Sequence, residues 1–298
     1  MTAREYFVGF ECGVEDNSHL HVDHCSVLPF IRTVGCAKAS FNHFIAYRNN
    51  DMKGIVKHQM FKFKENAHVF IITLKIDINN FPTYEVEDVI SDHIVKFPKF
   101  CDVWSIRSVR TDLEAPPVIG ILANHSFICI EKNGEFEFLE SWGGQWGTPM
   151  HISFDKKKPQ FGKIAEEIIA KHGKYGVQDL IQIMSEGDEA IKTISPHGYT
   201  FTKDEKNPVL LEFESFDGTK KTASPEFLMA MILKEHLKVI EKEMGKKPTK
   251  LGFCIFNVFT EKEDNYIRNG IEKACDLMKI NDRYFIQRYL FFIMPDIF

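Results

Sequence analysis

Short apolar runs alternate with turn residues along the second half of the chain and predict a mixture of strands and helices. Asn133–Gly134 and Asp217–Gly218 separate neighbouring apolar runs in the way that β-hairpin turns do. Helices are predicted where apolar residues recur every three or four positions. The predicted strands are 118–121, 127–131, 136–139, 199–201, 209–213, 220–223, 251–256 and 285–294, and the predicted helices are 161–171, 177–184, 225–244 and 261–278.

The helix predicted from residue 225 carries clear end signals. Ser224 can accept a hydrogen bond at the N-cap, and Pro225 suits the first helical position. Gly245 can adopt the left-handed conformation that ends many helices.

The pattern before residue 112 is less regular. Residues 67–78 are rich in β-branched side chains and predict a strand. Residues 83–97 place apolar side chains at helical spacing, whereas 101–109 alternate as a strand does. Two prolines at 116 and 117 then favour a break in the chain. We therefore predict an N-terminal α+β segment at 1–112, a linker at 113–117 and a second domain at 118–298.

Composition narrows the class of protein. Of 298 residues, 44% are hydrophobic and 27 are Phe, so the chain can bury a sizeable core. A net charge of -5 without a basic stripe disfavours broad binding of nucleic-acid phosphates. The seven cysteines form no C-x-x-C pair, which favours a reducing compartment. With no signal-peptide pattern and no membrane-length apolar run, we expect a soluble cytoplasmic protein, with the nucleus as the alternative.

Three segments share their order and spacing with one known family. They are "GGQWGTPMHISF" at Gly143–Phe154, "GYTFTKDEKNPVLLEFESFDGTKKTASPEF" at Gly198–Phe227 and "SPEFLMAMILKEHLKVIEKEMGKKPTKLGFCIF" at Ser224–Phe256. Residues 118–281 thus resemble lobe I of the heat-shock 70 ATPase domain. The resemblance implies an α/β (mixed α+β), actin-like ATPase (ribonuclease H-like) lobe with a small β unit.

The residues that hold and split ATP in that family are changed. The family's phosphate-binding turn reads G-I-D-L-G-T-T, and here the same place reads "GILANHSFICI" at Gly120–Ile130. The carboxylate is absent, with Leu122 or Ala123 near its place. The second glycine is lost, and Asn124, His125 and Ser126 replace the threonine pair. Gln178 stands where the family has its catalytic lysine, and a neutral amide cannot offset phosphate charge as an ammonium does.

The resemblance therefore implies a degenerate nucleotide site at Gly120, Asn124, His125, Ser126 and Gln178, with no catalytic residue. ATP and Mg²⁺ are the ligands that the family implies. Two alternatives are open: a scaffold that kept its packing and lost the function, and a retained but weakened nucleotide site. Either one describes a heat-shock 70-like, chaperone-related pseudoenzyme that acts by binding a protein partner or co-chaperone.

A second motif lies near the N-terminus. His19, His21, Asp23 and His24 match the H-x-H-x-D-H signature of metallo-β-lactamase-fold hydrolases, and the context "SHLHVDHCSVLPF" is most similar to RNA-processing nucleases. The resemblance implies a tight turn after a strand that gathers these side chains around Zn²⁺, with His68 as a later ligand. The alternatives are a zinc-dependent hydrolase or nuclease, an adventitious zinc site, and a remnant without function.

Two aromatic features complete the sequence hypotheses. Trp142 and Trp146 flank two glycines and suit either a stacking platform or the packing of a turn. The Phe-rich residues 289–298 suit either a core strand or a surface for self-association. A chain that joins pieces of two ancestral genes, with no selected activity, is a third hypothesis for the whole protein.

Overall fold

The computed structural model describes residues 1–12, 15–38, 41–48, 54–108, 115–193 and 198–286. The chain divides into two compact units. The first contains Met1–Ser91 and Glu167–Gly173, and the second contains Asp92–Glu166 and Lys174–Phe298. No helix within the described ranges is long and apolar enough to cross a membrane.

The first unit is built on two antiparallel sheets whose inner faces share one apolar core. The strand orders are β2-β1-β4-β5 and β3-β6-β7. Tyr6 and Val8 from one sheet and Phe70 and Ile72 from the other belong to that core, and all four are fully buried. The strands are β1 (Glu5–Cys12), β2 (Glu15–Val22), β3 (Phe30–Ala37), β4 (His43–Arg48), β5 (Val56–Phe61), β6 (Val69–Ile76) and β7 (Pro82–Val89).

Strand β6 confirms the strand predicted at 67–78, but the helix predicted at 83–97 is wrong over most of its length. β7 pairs with β6 along its whole length, and a short helix, α1 (Asp92–Val95), follows. Tyr84 and Val86 pack against the core of the first unit. The apolar residues of this stretch fit both the alternation of a strand and the spacing of a helix. Pairing with β6 makes the stretch a strand.

The strand predicted at 101–109 is also wrong. Helix α2 (Phe97–Ser108) occupies this stretch, and residue 109 lies outside the described ranges. Ile94, Phe97 and Cys101 are fully buried in one apolar cluster. Phe97 and Cys101 are four residues apart in α2, so they lie on one helical face whose burial outweighs the local alternation.

A mixed six-stranded sheet organises the second unit. Five of its strands follow the order β10-β9-β8-β18-β19, and the short strand at Thr148–Pro149 also pairs with β9. β9 runs antiparallel to both β8 and β10, whereas β18 is parallel to β8 and β19 is parallel to β18. Strands predicted from the apolar runs are confirmed here, and Asn133 and Gly134 form the expected turn with positive φ. The strands are β8 (Val118–Leu122), β9 (His125–Lys132), β10 (Glu135–Phe138), β18 (Lys250–Ile255) and β19 (Asp282–Phe285).

Alternate residues of this sheet face two different apolar clusters. Ile119, Ile128 and Phe253 belong to the cluster that also contains the buried sides of α6 (Pro225–Met244) and α7 (Glu261–Leu277). Val118, Phe127 and Cys254 belong to the cluster that contains α1 and α2. Both faces of the sheet are therefore covered, one of them by helices that lie before the segment resembling heat-shock 70.

The predicted ends of α6 are confirmed. Ser224 Oγ accepts a hydrogen bond from Phe227 N, Pro225 is the first helical residue, and Gly245 has a φ of 71°. At the other end of the chain, β19 begins three residues before the strand predicted at 285–294. Residues 287–298, which include the Phe-rich end, lie outside the described residues.

The remaining elements of the chain are short. Gln178 precedes helix α4, so the helix predicted at 177–184 begins later than expected. The shorter strands and helices are β11 (Thr148–Pro149), β12 (Ile152–Ser153), β13 (Gln160–Phe161), β14 (Gly176–Val177), β15 (Thr200–Thr202), β16 (Leu210–Glu214), β17 (Lys220–Ala223), α3 (Gly162–Lys171), α4 (Leu180–Glu186) and α5 (Ala190–Thr193).

Candidate functional site: the turn between β8 and β9

Two residues, Ala123 and Asn124, connect β8 to β9. Leu122 pairs with His125 at the base of the turn, and Ala123 has a φ of 50°. Gly120 lies earlier in β8, where a Cβ atom would come within 2.7 Å of the Phe97 ring. Gly120 is therefore required for close packing of α2 on the sheet.

Three polar groups of this turn are engaged inside the protein. Ala123 N donates to Asn257 Oδ1 at 2.6 Å, and Asn124 O accepts from Met150 N at 2.7 Å. Asn124 Nδ2 donates to the carboxylate of Asp179. The backbone N–H of Ala123 and the side-chain amide of Asn124 thus already donate to protein acceptors. An incoming anion would have to displace those acceptors.

Behind the turn, Ser126 lies in a buried chain of hydrogen bonds. Trp142 Nε1 donates to Ser126 Oγ at 3.0 Å, and Ser126 Oγ lies 2.9 Å from His236 Nε2. His236 Nδ1 lies 2.9 Å from the carbonyl oxygen of Ile232. Because that carbonyl can only accept, Nδ1 carries the proton, and Nε2 accepts from the Ser126 hydroxyl. The Ser126 hydroxyl is therefore used in hydrogen bonds inside the protein.

Gln178 lies next to a buried histidine. The antiparallel pairing of Ile152 with Val177 places Gln178 opposite His151, one residue further along. Both side chains are almost fully buried, and Gln178 Oε1 has no hydrogen-bond partner among the described residues. Burial lowers the pKa of His151, and the carboxylates of Glu166 and Asp179 oppose that effect. Gln178 is thus a neutral amide in a region with two nearby carboxylates.

The stability of the folded protein should depend on pH through His236. Burial lowers its pKa from 6.5 to about 4, so it stays neutral in the folded protein while the unfolded chain takes up a proton. Its contribution to stability is complete above pH 6.5 and is lost, by up to about 3 kcal/mol, as pH falls towards 4. In urea titrations at several pH values, we expect His236→Gln to weaken this dependence.

The matched control for that titration is His58→Gln, which alters an exposed histidine on β5. An unchanged pH dependence in His236→Gln would contradict the role assigned to His236. A reduction of equal size in His58→Gln would contradict it as well.

The N-terminal motif does not form the expected turn-borne cluster. His19 and His21 lie within β2, and only Asp23 and His24 follow it, so the predicted local geometry is wrong. His21 lies 3.6 Å from a Glu5 oxygen and 3.7 Å from an Asp23 oxygen, whereas the His19 ring stacks on Phe10.

The proposed later ligand is engaged elsewhere. His68 directly precedes β6 in the other sheet, and its Nδ1 accepts from Ser91 N at 2.9 Å. Among the residues that the structure describes, no group of three or more His, Cys, Asp or Glu side chains could hold a metal ion. The zinc site stays a prediction from the motif alone.

The two tryptophans differ in exposure. Trp142 is buried, and its ring lies 4.3 Å from the His236 ring, so it packs the turn and cannot stack on a ligand there. Trp146 is half-buried.

Sequence reasoning missed Asn257, Asp179 and His236. A polar residue directly after the strand predicted at 251–256 was the available signal for Asn257, and nothing local marked the other two.

Comparison with known families gives a match over most of the second unit. The family model described as Hsp70 protein matches residues 118–275, which is just over half of the chain. The matched region contains the turn at 123–124, Gln178 and the whole of α6.

Proposed function

Because this chain belongs to the Hsp70 protein family, we propose that it is a family member that does not hydrolyse ATP and acts by binding protein partners. The observation that carries the proposal is the engagement of the β8–β9 turn. Ala123 N and the Asn124 side chain already donate to Asn257 and Asp179. Phosphate would gain their hydrogen bonds only by breaking existing ones.

The charges around the turn support the same proposal. A phosphate approaching Asn124 would meet the carboxylate of Asp179, with Glu166 close to the neighbouring His151. Gln178 supplies no positive charge in return. Removal of a single electrostatic stabiliser can cost about 10²–10³ in rate, and here a lysine and a carboxylate are both replaced.

The family suggests ATP and Mg²⁺ as ligands, and the residues of this chain fit them poorly. Mg²⁺ is held by oxygen ligands, commonly one or two carboxylates with phosphates and water. Leu122 or Ala123 stands near the place of the family carboxylate, and the carboxylate of Asp179 beside the turn already accepts from Asn124 Nδ2.

Binding of protein partners is the remaining route to activity. Partners and co-chaperones are expected of a family member, and a lobe that cannot hydrolyse ATP can still present a surface. The partner, and a location in the cytoplasm or nucleus, stay predictions.

The test of the proposed function is a steady-state ATPase assay with Mg²⁺ on the full chain. We expect no turnover above that of a preparation carrying Asn124→Ala. Turnover in the unaltered chain that disappears in Gln178→Ala would contradict the proposal. Trp fluorescence should be checked in each variant, because a loss of turnover through unfolding says nothing about catalysis.

No metal-binding group is found among the described residues, so the alternative of a zinc-dependent hydrolase leads to a separate expectation. After dialysis against a weak chelator, we expect elemental analysis to find far less than one zinc ion per chain. Stoichiometric zinc that is lost in His21→Ala and kept in His58→Ala would overturn this expectation and justify nuclease assays.

A further inference from the structure

A pocket separate from the β8–β9 turn lies in the second unit. Its volume is about 280 Å³, and its walls come from α4, α6, α7 and the segment between β15 and β16. Ala123, Asn124 and Gln178 lie outside its lining. A ligand in this pocket would therefore not compete with the internal hydrogen bonds of the turn.

One helical face of α7 forms a wall of the pocket. Tyr266, Asn269 and Lys273 line it, and their spacing places them on the same side of the helix. Gly270 lies on that side too, where a Cβ atom would come within 2.4 Å of Met184 Sδ. Without a Cβ at this position, α4 packs close to α7, and Met184 reaches the pocket.

The lining has an apolar part that suits a small hydrophobic group. Ile183, Met184 and Val209 line the pocket and are buried. A ligand side chain that covers such surface gains about 25 cal/mol per Å² of apolar area removed from water. The volume of 280 Å³ equals that of about nine water molecules at about 30 Å³ each. This space suits a ligand of the size of one amino acid.

Four charged residues line the pocket, and two of them neutralise each other. Lys273 Nζ lies 3.2 Å from Glu226 Oε1. The other two, Lys206 and Asp188, are exposed and form no ion pair within 4 Å among the residues that the structure describes. One cation and one anion thus remain for a ligand.

Hydrogen bonds hold the segment that carries Lys206. The Asp204 carboxylate accepts from Lys206 N at 2.8 Å and from Asn207 N at 2.7 Å. Asn207 Nδ2 donates to the same oxygen at 2.9 Å. Asp204 is therefore engaged by its own turn, and Lys206 Nζ is left as a donor for a ligand carboxylate.

We propose that this pocket binds a free amino acid with an apolar side chain. The ligand carboxylate would accept from Lys206, and the ligand ammonium would donate to Asp188. The apolar side chain would cover Met184 and its apolar neighbours, and the Asn269 amide offers a further donor and acceptor. A ligand with a single charge would leave either Lys206 or Asp188 without a partner, so the pocket favours a zwitterion.

Saturation-transfer NMR with the full chain measures this binding. We expect saturable signals from L-leucine, L-methionine and L-phenylalanine. N-acetyl-L-leucine lacks the ammonium and L-leucinamide lacks the carboxylate, so each should bind at least about threefold more weakly than L-leucine. No saturable signal from the three amino acids up to about 10 mM would overturn the proposal. Equal binding of N-acetyl-L-leucine would overturn it too, because that compound resembles the C-terminus of a peptide.

Charge variants at the exposed rim locate the site without changing the core. Lys206→Gln should weaken L-leucine at least about threefold and leave L-leucinamide unchanged, since leucinamide has no carboxylate. Asp188→Asn should weaken L-leucine to a similar extent and leave N-acetyl-L-leucine unchanged. Unchanged L-leucine binding in both variants would overturn the assignment to this pocket.

The matched controls are Lys203→Gln and Glu205→Gln. They alter exposed charges of the same segment that lie outside the pocket lining, so both variants should bind L-leucine as the unaltered chain does. An equal loss of binding in Lys203→Gln and Lys206→Gln would contradict the proposal, because the effect would then follow net charge and not contact with the ligand.

Discussion

Replacement of Leu233 by aspartate in α6 is expected to unfold the second unit. Leu233 is fully buried in the cluster between the sheet, α6 and α7. Aspartate would leave a cavity and place an unpaired charge in an apolar core, at a cost of at least about 4 kcal/mol. That is a large part of the 5–15 kcal/mol that stabilises a typical domain.

Tryptophan fluorescence can measure this effect, because all three tryptophans lie in the second unit. We expect Leu233→Asp to show the emission of exposed tryptophan without denaturant. Lys234→Asp changes the next residue, which is exposed, and should melt close to the unaltered protein. Equal melting of Leu233→Asp and Lys234→Asp would refute the packing of α6.

Truncation of Phe97 to alanine should have the second largest effect. Phe97 is fully buried, and its ring lies over Gly120 and makes an edge contact with Phe256 at 5.1 Å between centroids. Loss of a buried Phe side chain costs about 3–5 kcal/mol. The family-matched sheet would then be destabilised by a substitution outside the matched region.

Urea denaturation followed by tryptophan fluorescence measures this loss of stability. Val95→Ala is the control, because Val95 lies in α1 and is exposed. We expect a clear fall in midpoint for Phe97→Ala and a small change for Val95→Ala. Equal midpoints in Phe97→Ala and the unaltered chain would mean that α2 contributes little to covering the sheet.

The position of α1 and α2 also bears on where the second unit begins. We predicted a linker at 113–117 because two prolines mark the sequence there. The compact second unit begins at Asp92, since α1 and α2 bury Ile94, Phe97 and Cys101 against the sheet. Prolines are visible in a sequence, whereas the face that a distant helix covers depends on tertiary contacts that no local pattern encodes.

The same distinction explains which elements could be predicted. α6 has a cap at each end and a consistent apolar face, so local and tertiary preferences agree, and its limits are confirmed. β7 and α2 were assigned wrongly because their apolar positions suit both periods. Pairing with β6 makes β7 a strand, and burial of one face against the sheet makes α2 a helix.

The candidate site was predictable only in part. From the sequence alone, the resemblance implies that the family carboxylate is lost at Leu122 or Ala123 and the lysine at Gln178. The internal use of the turn is not, because Asn257 and Asp179 reach Ala123 and Asn124 from distant positions. The zinc motif shows the opposite case, in which a familiar spacing lies on a strand and does not gather its side chains.

Calorimetric titration of the full chain with ATP and Mg²⁺ tests the central claim most directly. We expect no saturable binding up to about 1 mM ATP, a concentration that would reveal any Kd in the usual micromolar range. Asn257→Gly with Gln178→Lys, which frees Ala123 N and restores a positive charge, should bind more tightly than the unaltered chain. Saturable binding of one ATP to the unaltered chain, weakened by Asn124→Ala, would contradict a turn that is closed to phosphate.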